Sequence, residues 1–110
     1  MIRGAVYKVD LGEPRGHEQG GKRHGLVLSP TDAPWTVVTI VPTSTSAPAL
    51  SFRPRLEVAG TPTVFLVDQV RAVDISYLHD EPVDYLFKDD LAVVEVAVCR
   101  YLGLVLTMEE

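Results

Sequence analysis

The chain has 110 residues, 46% of them apolar and 23% charged. That is length for one domain, residues 1–110, with its own core, and too little for a dinucleotide-binding enzyme with a separate substrate domain, a kinase or a TIM barrel. The single cysteine, Cys99, excludes an intrachain disulfide and any CxxC site, and no apolar run approaches the roughly 18 residues of a membrane span. The net charge of −5 is uneven: residues 1–55 carry seven Lys/Arg against four Asp/Glu, and residues 56–110 three against eleven, so the first half can hold a phosphate while the second faces solvent or a basic partner. The N-terminus lacks the apolar core of a signal peptide, which makes the cytoplasm the expected location, with no membrane partner.

Residues 5–11 alternate Ala5, Tyr7, Val9 and Leu11 with Val6, Lys8 and Asp10, the period of a strand. Residues 12–23 hold four glycines and a proline and predict a long, charged loop of the kind that carries function. A short apolar strand follows at 24–29, then a Pro-rich turn at 29–34. Residues 35–41 are densely β-branched and predict a strand that Pro42 ends, since proline cannot donate to a ladder. Residues 43–48 read as a polar loop, 55–59 as a strand, 60–62 as a turn, 63–73 as one long strand and 74–78 as a helical turn. In 89–106, Leu91, Val94, Val98, Tyr101 or Leu102, and Val105 recur at helical spacing behind Asp89 and Asp90, although 93–98 also alternates as a strand would; length and the acidic start favour a helix. Short strands, short turns and a closing helix predict a small, strongly bent antiparallel sheet or barrel.

The sequence contains no GxGxxG, Walker loop, HExxH or GxSxG, and its three histidines and Cys99 lack zinc spacing, so neither a metal nor a cofactor is expected. The chemistry-bearing residues gather in three places. The glycine-rich loop offers His17, Glu18, Gln19, Lys22 and Arg23; Thr43 and Ser44 follow the β-branched strand; Asp68, Gln69 and Arg71 lie in the 63–73 segment. Metal-free cleavage of a phosphodiester beside a ribose 2′-hydroxyl needs a base, an acid and cations or donors for the charge growing on phosphorus, and these residue types can supply all three.

Those segments also resemble a known family. Residues 3–11 (RGAVYKVDL), 15–23 (RGHEQGGKR), 41–44 (VPTS) and 67–74 (VDQVRAVD) match, in order and spacing, the motifs of the MazF/PemK (Kid) toxin endoribonucleases, over residues 3 to about 106. The resemblance implies an SH3-like or CcdB-like antiparallel β-barrel with helices, a homodimer, a cognate antitoxin and metal-independent cleavage of single-stranded RNA to a 2′,3′-cyclic phosphate and a 5′-hydroxyl. It makes Arg23 the group that binds and stabilises the scissile phosphate and a candidate acid, Thr43 with Ser44 the holders of its oxygens and Glu18 the candidate base. His17, Gln19, Lys22, Asp68, Gln69 and Arg71 become candidate RNA-binding or positioning residues.

Two positions depart from the pattern. His24 replaces the usual proline after the loop arginine, and either alters the aim of Arg23 or adds a titrating group; Leu66 stands where some relatives have an arginine. A non-nucleolytic toxin of the gyrase-poison type on the same fold, or a degenerate antitoxin-binding regulator, are the competing functions. Trp35 and Phe52 could stack bases, with core or dimer packing the alternative for Trp35. Cys99 is expected to be buried filler.

Overall fold

The computed structural model describes residues 1–13, 16 and 21–104. Among them, seven strands form one curled antiparallel sheet: β1 (Ala5–Asp10), β2 (Lys22–Val27), β3 (Val37–Ser44), β4 (Arg55–Val58), β5 (Thr61–Phe65), β6 (Arg71–Asp74) and β7 (Leu78–Tyr85). The strand order is β4–β5–β3–β2–β1–β7, and β6 also pairs with β3. One helix, α1 (Lys88–Leu102), follows. This is the bent antiparallel sheet with a C-terminal helix that the sequence predicts.

The pleat of β1 shows how the core is divided. Ala5, Tyr7, Val9 and Leu11 enter one apolar cluster with Val27, Val38, Ile40 and Val73. Val6 points to the opposite face, where it joins Leu26, Val41 and Phe65 beneath Val94 and Ala97 of α1. Successive strand residues alternate faces, so one sheet carries two cores. Gly25 lies between His24 and Leu26, where a Cβ would stand 3.1 Å from Ile40 Cδ1 and 3.4 Å from a Val9 methyl; glycine is needed here for close approach.

Helix α1 forms for the reasons its sequence shows. Asp89 and Asp90 occupy its first turn, where the helix dipole favours acid, and Arg100 its last. Gly103 closes it in the left-handed conformation, with Leu104 N–H donating to Cys99 O (2.8 Å) and Gly103 N–H to Arg100 O (3.2 Å). Arg3 fastens the helix to the sheet: its Nε–H donates to Leu28 O and its Nη2–H to Glu95 Oε2. Cys99 is half-buried, less enclosed than expected.

Three local expectations are corrected. Pro42 does not end the third strand, which runs to Ser44. Proline lacks the N–H, but its carbonyl accepts from Leu66 N–H (2.8 Å), at the place where β3 changes partner from β6 to β5. The expected strand over 63–73 is instead β5, a 3₁₀ turn at Val67–Gln69 and β6. The turn lets one segment supply two strands to β3. The last strand, β7, is polar and was not expected; its partner is β1. The expected helical turn after residue 74 is present as a 3₁₀ turn at Ile75–Tyr77, capped by Asp74, whose carboxylate accepts from Ser76 N–H.

Candidate active site

The face of the sheet that α1 covers changes character along the strands. Val6 is registered with Leu26 and Leu26 with Val41, which makes an apolar row under the helix. Two residues along β1, Lys8 is registered with His24, and Thr43 Oγ donates to His24 O (3.0 Å). Two further along, Asp10 is registered with Lys22. The same pleat that builds the core thus delivers Lys8, Asp10, Lys22, His24 and Thr43 to one uncovered surface.

That surface is a cavity of about 460 Å³, lined by these residues with Val9, Arg23, Ser44, Thr45 and His79. Its volume is within the usual range for small-ligand sites. Among the described lining residues, Lys8, Lys22 and Arg23 stand against one carboxylate, Asp10, a balance that favours an anion although the chain as a whole is acidic. The base of the glycine-rich loop closes beside it: Leu11 N–H donates to Gly21 O and Gly21 N–H to Gly12 O, and Asp10 Oδ1 accepts from Gly12 N–H.

Thr43 and Ser44 are buried, at 4% and 6% exposure, and both are held. The Thr43 hydroxyl proton is committed to the His24 carbonyl, so donating to a bound ligand means exchanging that bond, because one proton serves one acceptor. Ser44 Oγ accepts from Ser46 and Ala47 N–H groups and shapes the turn after β3. The His24 imidazole is held below its ordinary pKa, first by burial and then by the Lys8 ammonium, so it is neutral at neutral pH.

Of the residues singled out in the sequence, Arg23, Lys22, Thr43 and Ser44 line this one pocket. His17, Glu18 and Gln19 lie outside the described residues. Asp68 is the middle residue of the 3₁₀ turn and is engaged elsewhere: its two oxygens accept from Arg53 Nε–H and Nη2–H, both at 2.8 Å. The guanidinium hydrogen bond holds the Asp68 carboxyl below, and Arg53 above, its ordinary pKa. Asp68, Gln69 and Arg71 are not among the pocket's lining residues; Arg71 is on β6, registered with Ile40. Leu66, the second departure from the motif pattern, is fully buried in the core. Trp35 precedes β3, 40% exposed, with its indole N–H donating to Pro30 O, and Phe52 packs edge-on against Tyr101.

Lys8, Asp10, Thr45 and His79 are pocket residues that sequence reasoning missed. For Lys8 and Asp10 a signal existed, since two charges on the face of β1 that begins with Val6 interrupt an apolar row. His79 carried none, because its strand was not foreseen. Among the described residues, no group of three or more His, Cys, Asp or Glu is arranged to hold a metal ion, and no helix is long and apolar enough to cross a membrane.

Comparisons with known proteins agree on the class. Residues 2–102 match the family model described as PemK-like, MazF-like toxin of type II toxin-antitoxin system. The Mycobacterium tuberculosis protein named "Putative toxin Rv3098A" is 62% identical over 105 residues, spanning 94% of this chain and 99% of that protein. The crystal structure of MazF from Deinococcus radiodurans superposes with a TM-score of 0.82 at 28% identity, covering 94% of this chain and 97% of that one. A mycobacterial endoribonuclease in complex with its cognate antitoxin shares the fold, with a TM-score of 0.78 at 19% identity over 97% of this chain and 99% of that one.

Proposed function

The chain belongs to the PemK-like, MazF-like toxins of type II toxin–antitoxin systems, and from that membership we propose that it is an endoribonuclease that cuts single-stranded RNA without a metal ion, leaving a 2′,3′-cyclic phosphate and a 5′-hydroxyl. The observation that carries this reading is the convergence of Arg23, Lys8, Lys22 and a buried Thr43 hydroxyl on one anion-favouring pocket. In the proposed reaction the Arg23 guanidinium binds the scissile phosphate through its planar fork and opposes the charge that grows on its oxygens. Thr43 exchanges the His24 carbonyl for a non-bridging phosphate oxygen, while Lys22 and Ser44 hold the flanking backbone. Glu18, with His17 and Gln19 beside it, is the carboxylate base that the family resemblance offers. The proposed partners are a cognate antitoxin and a second copy of the chain, and the proposed location is the cytoplasm.

The test is cleavage of a long single-stranded RNA in EDTA by the wild type and by Arg23→Ala, with both new ends mapped. Discrete cuts with cyclic-phosphate ends, lost in the variant, are expected. Folded wild-type protein that cuts nothing at any concentration would instead favour a non-nucleolytic toxin.

A further inference from the structure

The pocket holds chemistry that phosphate binding does not use. Two imidazoles line it, His24 from β2 and His79 from β7, on either side of β1. Lys8 of β1 is the cross-strand partner of His24. On its other side β1 meets an irregularity: Tyr7 faces Pro82 and Val9 faces Leu78, so His79, Asp80 and Glu81 all stand opposite Lys8. Bulges of this kind re-aim side chains, and of these three it is His79 that lines the pocket. With neighbouring strands about 4.8 Å apart, the backbones carrying the two histidines are roughly 10 Å apart across β1.

Resting on the ribonuclease reading, we propose that His24 and His79 are the base and acid of the cleavage, His24 accepting the ribose 2′-hydroxyl proton and His79 protonating the leaving 5′-oxygen. The 2′-O–H bond breaks as the 2′-oxygen bonds to phosphorus, and its proton ends on the His24 ring. The P–O5′ bond breaks, and its oxygen takes the proton that the His79 imidazolium brought. Exchange with water then returns both rings to their starting states, so no atoms or electrons are left over.

The placement suits an in-line displacement, in which attacking and leaving oxygens lie on opposite sides of phosphorus. Base and acid must then approach from opposite sides, each about 2.6–3.2 Å from its oxygen. Rings carried on the two strands that flank β1 can approach a phosphate in the pocket from opposite sides, with Lys8, on the strand between them, opposing its charge. Among the described residues, the charged and titratable groups that line the pocket with His24 are Lys8 and Asp10 of β1, Lys22 and Arg23 of its own strand, and His79 of β7. Burial first, and then the Lys8 ammonium, keep His24 in its neutral, proton-accepting form near neutral pH. Glu18, the alternative base, lies outside the described residues and becomes an arm of the test.

Single-turnover cleavage in EDTA is measured from acidic to alkaline pH for the wild type and for His24→Gln, His79→Gln, Glu18→Gln and Arg23→Ala, with folding checked by circular dichroism. Glutamine keeps much of the size of histidine and cannot titrate. The wild type is expected to give a bell-shaped profile. His24→Gln should lower kcat/KM by about 10²–10⁴-fold and abolish the acidic limb; His79→Gln should abolish the alkaline limb. An RNA with sulfur in place of the leaving 5′-oxygen should restore His79→Gln to within about tenfold of the wild type, because a thiolate departs without help from an acid, and should not restore His24→Gln. If the wild type cuts and Arg23→Ala does not, but His24→Gln keeps both its rate and its acidic limb, or Glu18→Gln is the variant that loses that limb, the histidine pair is wrong and the nuclease reading stands. If the wild type cuts no RNA, both fall.

Discussion

Thr43→Val separates what the buried hydroxyl does for the fold from what it does for the reaction. Valine matches threonine in shape, so the substitution removes one O–H and leaves the packing of a 4%-exposed residue almost unchanged. The structural loss is the 3.0 Å bond to the His24 carbonyl. A net hydrogen bond contributes about 1 kcal/mol, rising to about 2 if the carbonyl is left without a partner. For a chain of this length that lowers Tm by about 4–8 °C. If the parent has a stability of only about 5 kcal/mol, more than about 99% of the variant is still folded at 25 °C, so unfolding alone cannot reduce activity measurably. Loss of a donor to transition-state charge, by contrast, costs about 10²–10³ in rate. Single-turnover cleavage at 25 °C, alongside a thermal melt, reads the two quantities independently. The expected outcome is a modest Tm loss with a rate loss of at least about a hundredfold, and near-full activity in Thr43→Ser. A melt that shifts as expected while the rate stays within twofold would reduce Thr43 to a tie between β2 and β3 and refute its role at the phosphate.

Two other substitutions probe the surroundings of the pocket. Asp68→Asn breaks the two-bond pair with Arg53, whose side chains are 30% and 21% exposed, and should cost about 0.5–1.5 kcal/mol at neutral pH with little change in kcat. Because the folded-state pKa of Asp68 is depressed, its contribution is present above the unfolded value of about 3.9 and is lost as pH falls through the folded value. Denaturant melts of variant and wild type should therefore draw together as pH falls below the unfolded value of about 3.9, and a collapse of kcat at unchanged stability would instead return Asp68 to the reaction. Gly25→Val places branched carbons where even a Cβ stands 3.1 Å from Ile40 Cδ1, and should destabilise by about 1–3 kcal/mol, with Gly25→Ala milder. An unchanged urea midpoint for the valine variant would show that the β1–β3 contact is looser than these distances state.

The elements that were legible in the sequence are those whose pattern is local. The alternation in β1 and the acidic start and apolar spacing of α1 each follow from a few consecutive residues. Where expectation and structure differ, a partner distant in sequence decides. Pro42 continues β3 because Leu66, twenty-four positions on, supplies the hydrogen that its carbonyl accepts. The 63–73 segment divides because β3 offers one edge to two successive strands. Strand β7 has the polar sequence LHDEPVDY, and only its pairing with β1 makes it a strand.

The candidate site divides in the same way. Motif spacing in the sequence points to Arg23, Lys22, Thr43 and Ser44, because motif residues near strand ends remain near those ends. The sequence also placed Asp68 with them, and pairing with Arg53 from the β3–β4 connection was invisible to it. Composition and alternation by themselves determined a small antiparallel sheet with a closing helix, since burial at period two or 3.6 is a property of neighbouring residues. Only the tertiary structure decided that α1 covers Val6, Leu26 and Val41 and leaves Lys8 and His24 uncovered on the same face, beside the buried Thr43, and that an irregular pairing brings His79 to them. Strand register and the reach of a covering helix depend on contacts between residues far apart in the chain, which no local period encodes.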